Sequence, residues 1–372
     1  MRIAVLSPFH PYRGGIASFS NSLYIELEKE HEVKAFSFSM MYPSFLFPGK
    51  TQFVAKGESE IEIDSARTLS SINPLSYRKT AKKINQYQPD VLIIAYWMPF
   101  MAPALGSVCK LLKKGIKKIA LIHNAIPHEK SFIDKTFAKF FFAKCDGFIA
   151  LSNLVKKDIL EFVPDAKVLV HPHPIYNHYR DRYDKNLACS ILKISSQRKN
   201  LLFFGLIREY KGLDVLIDAM QFLDNDYQLI IAGESYENFS KYQELIDTSP
   251  LKKNIKVFEQ YVPDEMVSTF FSASDLLVLP YRSATQSGVV TVAYQLELPM
   301  VVTNVGALGE TVQSAGTGIV VETLSPGALA EGIKKYFEES KQDIYLNNIR
   351  KEKKRLSWSA FTRSAENFIR EI

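Results

Sequence analysis

The chain has 372 residues, 47% of them hydrophobic, with 17 Gly and 17 Pro, a globular composition that excludes disorder and divides most simply into two domains of roughly 170 residues each. Three cysteines, Cys109, Cys145 and Cys189, lack paired spacing or neighbouring histidines, which argues against a disulfide framework or zinc and fits a reducing cytoplasm. The net charge of +6 is uneven, with 23 Lys plus Arg against 15 Asp plus Glu in residues 1–175 (+8) and 23 against 25 in the rest (−2), yet no zinc finger, RRM-like motif or arginine-rich arm makes nucleic acid a partner, and no apolar run is long enough to span a membrane.

Arg2–Ser7 is an apolar first strand, too short for a signal core and ended by Pro8 and Pro11. A loop then leads into a helix near Ile16 with Gly14 and Gly15 at the junction. That is a phosphate-loop shape without the G-x-G-x-x-G fingerprint, so a nicotinamide reading is weak, and a turn needing positive φ is the plainer alternative. After a strand at Val33–Phe38, MMYPSFLFPGK (Met40–Lys50) mixes apolar residues with two prolines. It either tucks back into the domain or, beside the basic clusters Arg78–Lys83, Lys110–Lys118 and Lys135–Lys144, dips into a bilayer surface. Helix and strand alternate through Asn73–Gln86, Val91–Ala95, Ala102–Leu112 and Lys118–Ile122. His123 follows the last of these strands, at the carboxyl edge where open α/β domains gather their active sites, and Asn124, His128 and Glu129 share its loop. His128-Glu129 has no second His at zincin spacing. Phe132–Lys144 reads as an amphipathic basic helix, GFIALS as a strand ending at Ser152, and Lys167–Tyr179 as the last strand of the first half with its exit.

The polar stretch Arg180–Lys199 reads as a linker, and NLLFFG (Asn200–Gly205) restarts a β/α pattern. Arg208 and Lys211 stand between that strand and a helix start, where the helix dipole disfavours a cation unless an anion binds. DYQLIIAGE is the next buried strand. Asp224-Asn225-Asp226 precedes it, at the wrong edge of the sheet for a metal, and no metal is expected. A strand at Ile255–Phe258 and a helix at Pro263–Ser272 follow. Then DLLVLP, RSATQSG, VVTVAYQLE and PMVVT read as strand, loop, helix and strand. Loop amides and a helix N-terminus at a strand's carboxyl end favour phosphate. Gly288 allows close approach, Ser283, Thr285 and Ser287 supply hydroxyls and Arg282 a charge, while an ordinary crossover with a polar N-cap remains open. Trp358–Ile372 is an amphipathic terminal helix.

With Leu298-Pro299, Val301-Val302-Thr303 and the closing Val305-Gly306-Ala307-Leu308-Gly309-Glu310, this block resembles the donor-binding segment of family 4 glycosyltransferases, two-domain GT-B enzymes that take a sugar from a nucleotide diphosphate sugar. The likeness covers most of the chain and is strongest from Gly205 to Glu310. It implies an α/β GT-B fold of two doubly wound Rossmann-like domains facing across a cleft. Residues 1–178 would form the acceptor domain, 179–198 the linker and 199–356 the nucleotide-sugar domain, with a helix at 357–372 crossing back to the first. It implies a catalytic set of His123, Arg208 and Lys211. Donor binding would fall to Gly14, Gly15, Gly205, Arg208, Lys211, Thr285, Gln286, Ser287, Gly288, Val289 and Glu310, with Asn124, His128 and Glu129 on the acceptor side. Two departures stand out. The family's paired glutamates fall on Ala284 and Val292, and Leu206 replaces the Arg after the Gly, so the ATQSGV wording marks a variant branch in which loop amides and Gln286 take over. The implied reaction is retaining and needs no cofactor or metal. Its partners are a nucleotide sugar, a glycan or lipid-linked acceptor and, through the first domain, a candidate anionic membrane surface. The implied setting is the cytoplasm or the inner membrane face. A nucleotide-sugar 2-epimerase and a non-catalytic nucleotide-sugar-binding subunit are the rival readings.

Overall fold

The structure, a computed structural model, describes residues 1–43, 52–54, 62–125, 132–175, 179–235, 237–284 and 287–372. The chain forms two units, Met1–His173 joined by Trp358–Ile372, and Pro174–Ser357.

The first unit is built on seven strands: β1 Arg2–Leu6, β2 Glu32–Met40, β3 Ser65–Ser70, β4 Val91–Tyr96, β5 Lys117–Ile122, β6 Gly147–Ala150 and β7 Val168–Val170. They lie in the order β3-β2-β1-β4-β5-β6-β7, and every pairing is parallel. Strands covered on both faces read as unbroken apolar runs, and VLIIAY of β4 is buried at all of its positions. The chain winds outward from β1 to β3 and returns at β4 beside β1. The β1/β4 junction is therefore a topological switch point, and the loop after β1 opens at its carboxyl end.

Over one face of this sheet, Phe19, Leu23 and Leu27 of the helix Gly15–Glu28 pack with Trp358, Phe361, Ala365 and Ile369 of the terminal helix Trp358–Glu371. The terminal helix is also held by the Lys117 ammonium, which donates to the Ile369 carbonyl at 2.7 Å, and by Glu366, 2.8 Å from His31. On the other face, the helices Pro74–Tyr87, Ala102–Lys110 and Phe132–Phe142 cover a core that includes Leu92, Ile94, Phe141 and Phe142. The helix Phe132–Phe142 buries Ala138, Phe141 and Phe142 and leaves Lys135 and Lys139 exposed. No helix among the described residues is long and apolar enough to cross a membrane. Residues 44–50 of the proline-broken apolar loop lie outside the described residues.

The second unit has six parallel strands: β8 Lys199–Phe204, β9 Tyr227–Ala232, β10 Ile255–Phe258, β11 Leu276–Leu279, β12 Met300–Thr303 and β13 Gly318–Val321. Their order, β10-β9-β8-β11-β12-β13, puts the switch point between β8 and β11. The loops after these two strands carry residues that the sequence singles out, Gly205, Arg208 and Lys211 after β8 and Arg282, Ser283, Ser287 and Gly288 after β11.

One expectation needs correcting. Residues 179–198 do not form a free linker, because Lys185–Leu192 is a helix of the second unit with Ala188 and Cys189 buried and Asp184 capping the Leu187 amide. Arg182 donates to the carbonyls of Glu297 and Ser274 at 3.0 and 2.9 Å, and Lys185 pairs with Asp275 at 2.7 Å. The polar side chains that suggest a linker are spent on caps and on loop carbonyls that would otherwise lack partners.

Candidate active site

At the second unit's switch point, Gly205 directly follows β8 with a φ of 97°, which disfavours any residue with a Cβ. A Cβ there would stand 3.2 Å from the Lys211 ammonium and 3.4 Å from a Val289 methyl. The glycine thus brings the loop after β8, the lysine and the first turn of the helix Gly288–Gln295 together. Gly212, at φ 66°, presses the same loop against β11's exit, since a Cβ on it would fall 2.0 Å from the Pro280 carbonyl oxygen.

Lys211 closes a short 3-10 turn, Glu209–Lys211, and is only 7% exposed. Its ammonium lies 5.6 Å from the centroid of the Tyr281 ring, and among the described residues it has no ion pair. Burial, helped by the charge of Arg208, lowers its pKa to about 8. Tyr281 is buried, its hydroxyl 3.4 Å from the Ser287 hydroxyl. The hydroxyl of Thr303 at the end of β12 donates to the Tyr281 carbonyl at 2.6 Å. Arg208 is exposed beside this turn.

Arg282 already has an acidic partner within the second unit. Its guanidinium grips Asp214 with two bonds of 2.9 and 2.5 Å and donates to the Glu209 carbonyl at 2.7 Å, while its amide donates to Tyr210. This fork ties the loop after β11 to the turn that carries Lys211. On the helix Gly288–Gln295, residues 290 and 292–295 are buried, while Gly288 is exposed and Val289 and Thr291 are half-buried. Val292, at one of the family's acidic positions, is 5% exposed in the hydrophobic core, and Ala284, at the other, packs partly buried against that core. Glu310 is exposed on the helix Gly306–Ala315, which follows β12. Thr285 and Gln286 lie outside the described residues. The Asp224–Asp226 turn precedes β9, with the Asp226 amide bonded to the Asp224 carboxylate at 2.9 Å.

In the first unit, Gly14 has a φ of 107° at the start of its helix, and a Cβ on Gly14 or Gly15 would meet no atom within 4 Å. The pair belongs to the β1/β4 switch point and leaves the backbone there open to approach. His123 follows β5, and its amide donates to the Tyr96 carbonyl at 2.9 Å. Its ring meets Phe19 edge-on, with centroids 4.9 Å apart. The Nε2 atom is buried and has no hydrogen-bond partner among the described residues. Burial, with a smaller contribution from His173, lowers its pKa to about 3, so the imidazole is neutral at physiological pH. Asn124 is exposed beside it, and His128 and Glu129 lie outside the described residues.

Sequence reasoning missed Tyr281, Asp214 and Phe19. Tyr281 directly follows the strand-ending Pro280, a position that could have marked it. The other two act through contacts with distant parts of the chain.

Two all-parallel α/β units, each with a Gly-bearing loop at its switch point, define a GT-B architecture. Residues 13–176 match the family model described as Glycosyltransferase Family 4, and residues 185–355 match Glycosyl transferases group 1. The chain is a glycosyltransferase of the GT-B type. An uncharacterized glycosyltransferase of Methanocaldococcus jannaschii is 22% identical over 100% of this chain and 99% of its own. A GDP-mannose:glycolipid 4-beta-D-mannosyltransferase of Xanthomonas campestris is 30% identical over 34% of this chain and 35% of its own. Among solved structures, Anabaena HepE in complex with UDP superposes with a TM-score of 0.67 at 15% identity, each chain covered fully. The sucrose-phosphate synthase of Thermosynechococcus elongatus superposes at 0.65 and 16% identity, over 100% of this chain and 98% of that one. At such identities these structures establish the fold.

Proposed function

We propose that this glycosyltransferase moves a sugar from a nucleoside diphosphate sugar to a glycan or lipid-linked acceptor, with retention and without a metal, in surface polysaccharide or glycolipid synthesis at the cytoplasmic side of a membrane. The observation that carries the reading is Lys211, a buried ammonium with no ion pair among the described residues, set against Gly205 and beside the N-terminus of the helix Gly288–Gln295. A buried charge without a partner is costly until an anion meets it, and a diphosphate is the anion that such a loop and helix end would take. Lys211, Arg208 and the amides of the Thr285–Gly288 loop would stabilise the charge that develops on the leaving diphosphate, the dominant electrostatic contribution in such a transfer. The neutral His123 ring, with Asn124 beside it, would bond the transferred sugar or the acceptor hydroxyl. Similar proteins support this choice of substrates: a GDP-mannose:glycolipid 4-beta-D-mannosyltransferase, D-inositol 3-phosphate glycosyltransferases and the HepE structure in complex with UDP and glucose.

A thermal-shift series with UDP, GDP, ADP and their sugars tests the donor class. Saturation at about 100 times Kd stabilises a fold by about 2.7 kcal/mol, a shift of several degrees. If no nucleotide moves Tm, the reading fails. The membrane side of the proposal rests on the +8 charge of residues 1–175 and on exposed Lys135, Lys139 and Phe140. Flotation with anionic liposomes that weakens with salt supports it, and absence of binding at low salt removes it.

A further inference from the structure

Phe19, 2% exposed on the second turn of the helix Gly15–Glu28, is met edge-on by four aromatic side chains. His123 and His173 each lie 4.9 Å from it between centroids, Trp358 lies at 4.8 Å and Phe361 at 5.7 Å, with interplanar angles of 70° to 85°. These partners have distinct origins. His123 follows β5, whereas His173 is the last residue before the chain leaves the first unit and Trp358 is the first on its return. One ring therefore holds the candidate catalytic histidine on one edge and both chain crossings on others.

His123 depends on that ring because its other anchors are few. Its amide is fixed to Tyr96, which places the backbone, but Nε2 has no hydrogen bond among the described residues to orient the imidazole. Edge-to-face packing against Phe19 sets the ring plane instead. Trp358, 5% exposed, and Phe361, 1% exposed, close Phe19 from the terminal helix, and that helix is docked independently through Lys117 and Glu366.

We infer that Phe19 is a positioning residue, and that docking of the terminal helix through Trp358 holds Phe19 so that the imidazole of His123 stays oriented with its Nε2 shielded from water. This deepens the role proposed for His123 and rests on that reading for its catalytic consequence.

The test uses the full chain labelled on histidine, with the His123 resonance assigned by loss in His123→Gln. The substitutions Phe19→Leu and Trp358→Leu each remove an aromatic edge while keeping an apolar side chain. In both, the His123 titration should rise from about 3 toward the ordinary 6.5 as water reaches the ring. The kcat should fall about 10-fold or more with KM for the donor unchanged, since misplacing a reacting group affects the chemical step. Trp358→Phe, which restores an aromatic edge, should return both quantities toward wild type. Nucleotide-induced stabilisation reports that the second unit is intact in each variant. If the variant at Phe19 does not fold, the pair Trp358→Leu and Trp358→Phe decides alone. An unchanged His123 titration in the folded variants overturns the inference. A shifted titration with normal turnover upholds the positioning and removes His123 from the reacting centre instead.

Discussion

The ammonium of Lys211 stands 3.2 Å from the point where a Cβ on Gly205 would lie, so the glycine's missing side chain is part of the lysine's pocket. Gly205→Ala would strain a backbone at φ 97° and crowd the ammonium at once. It should cost about 1–2 kcal/mol of stability, as for other Cβ-bearing residues at left-handed positions. The lysine's flexible end would yield, so the fold should survive while kcat/KM drops about 10-fold or more, read from denaturation and steady-state kinetics on the same preparation.

Lys211→Met should separate stability from function. The ordinary lysine pKa is 10.5 and the folded value is about 8, so the folded state disfavours the charged form. Stability of the free protein is then lost as pH falls from 10.5 to 8, and below 8 the chain carries the whole penalty. Replacing the ammonium by an apolar group should raise stability at pH 7 by something on the order of 2 kcal/mol, while kcat/KM falls by about 100-fold. Urea unfolding at pH 7 and pH 10 checks the sign. The wild type should gain on the variant over that interval.

The same ionisation predicts how nucleotide affinity depends on pH. A diphosphate needs the protonated ammonium, so Kd for the preferred nucleoside diphosphate should rise as pH passes through about 8, by up to about tenfold per unit beyond it. Lys211→Arg keeps its charge at all these pH values and should flatten the curve. Calorimetric titration between pH 6.5 and 9.5 reads both.

These predictions draw on features of unequal visibility in the sequence. The strand VLIIAY was legible because a strand buried on both faces is an unbroken apolar run. The edge strand β3, SARTLS, was not, since half of it is partly exposed or exposed and it includes Arg67. The helix Lys185–Leu192 was hidden inside a polar segment whose side chains turn out to be caps and carbonyl donors. Gly205 and Lys211 were visible as a strand end and a helix start, which local order is enough to mark. For Arg282 the charge is written in the sequence and its partner is not: Asp214 lies 68 positions away. For the same reason, His123 could be placed at a strand end, but its seat on Phe19 could not.

That Arg282–Asp214 pair yields the last prediction, because two roles for the arginine give opposite results. Burial alone would push the Asp214 carboxyl up, and the bonds and charge of Arg282 overcome this and hold it below its ordinary value. The pair's contribution is therefore present above the ordinary carboxylate pKa and is lost as pH falls through the depressed folded value. Both side chains are about a third exposed, 36% and 35%, so solvent screening limits the stability at stake to about 1 kcal/mol. If the fork serves to hold the Lys211 turn, Arg282→Ala and Asp214→Ala should each lower kcat/KM by a similar factor of about 10, and the double variant should do little worse than either. Were Arg282 a direct ligand of the donor diphosphate, Asp214→Ala would free it and tighten nucleotide binding, whereas Arg282→Ala would weaken it. Measuring kcat/KM and nucleotide Kd across the three variants separates the two, and tighter binding in Asp214→Ala would overturn the positioning role.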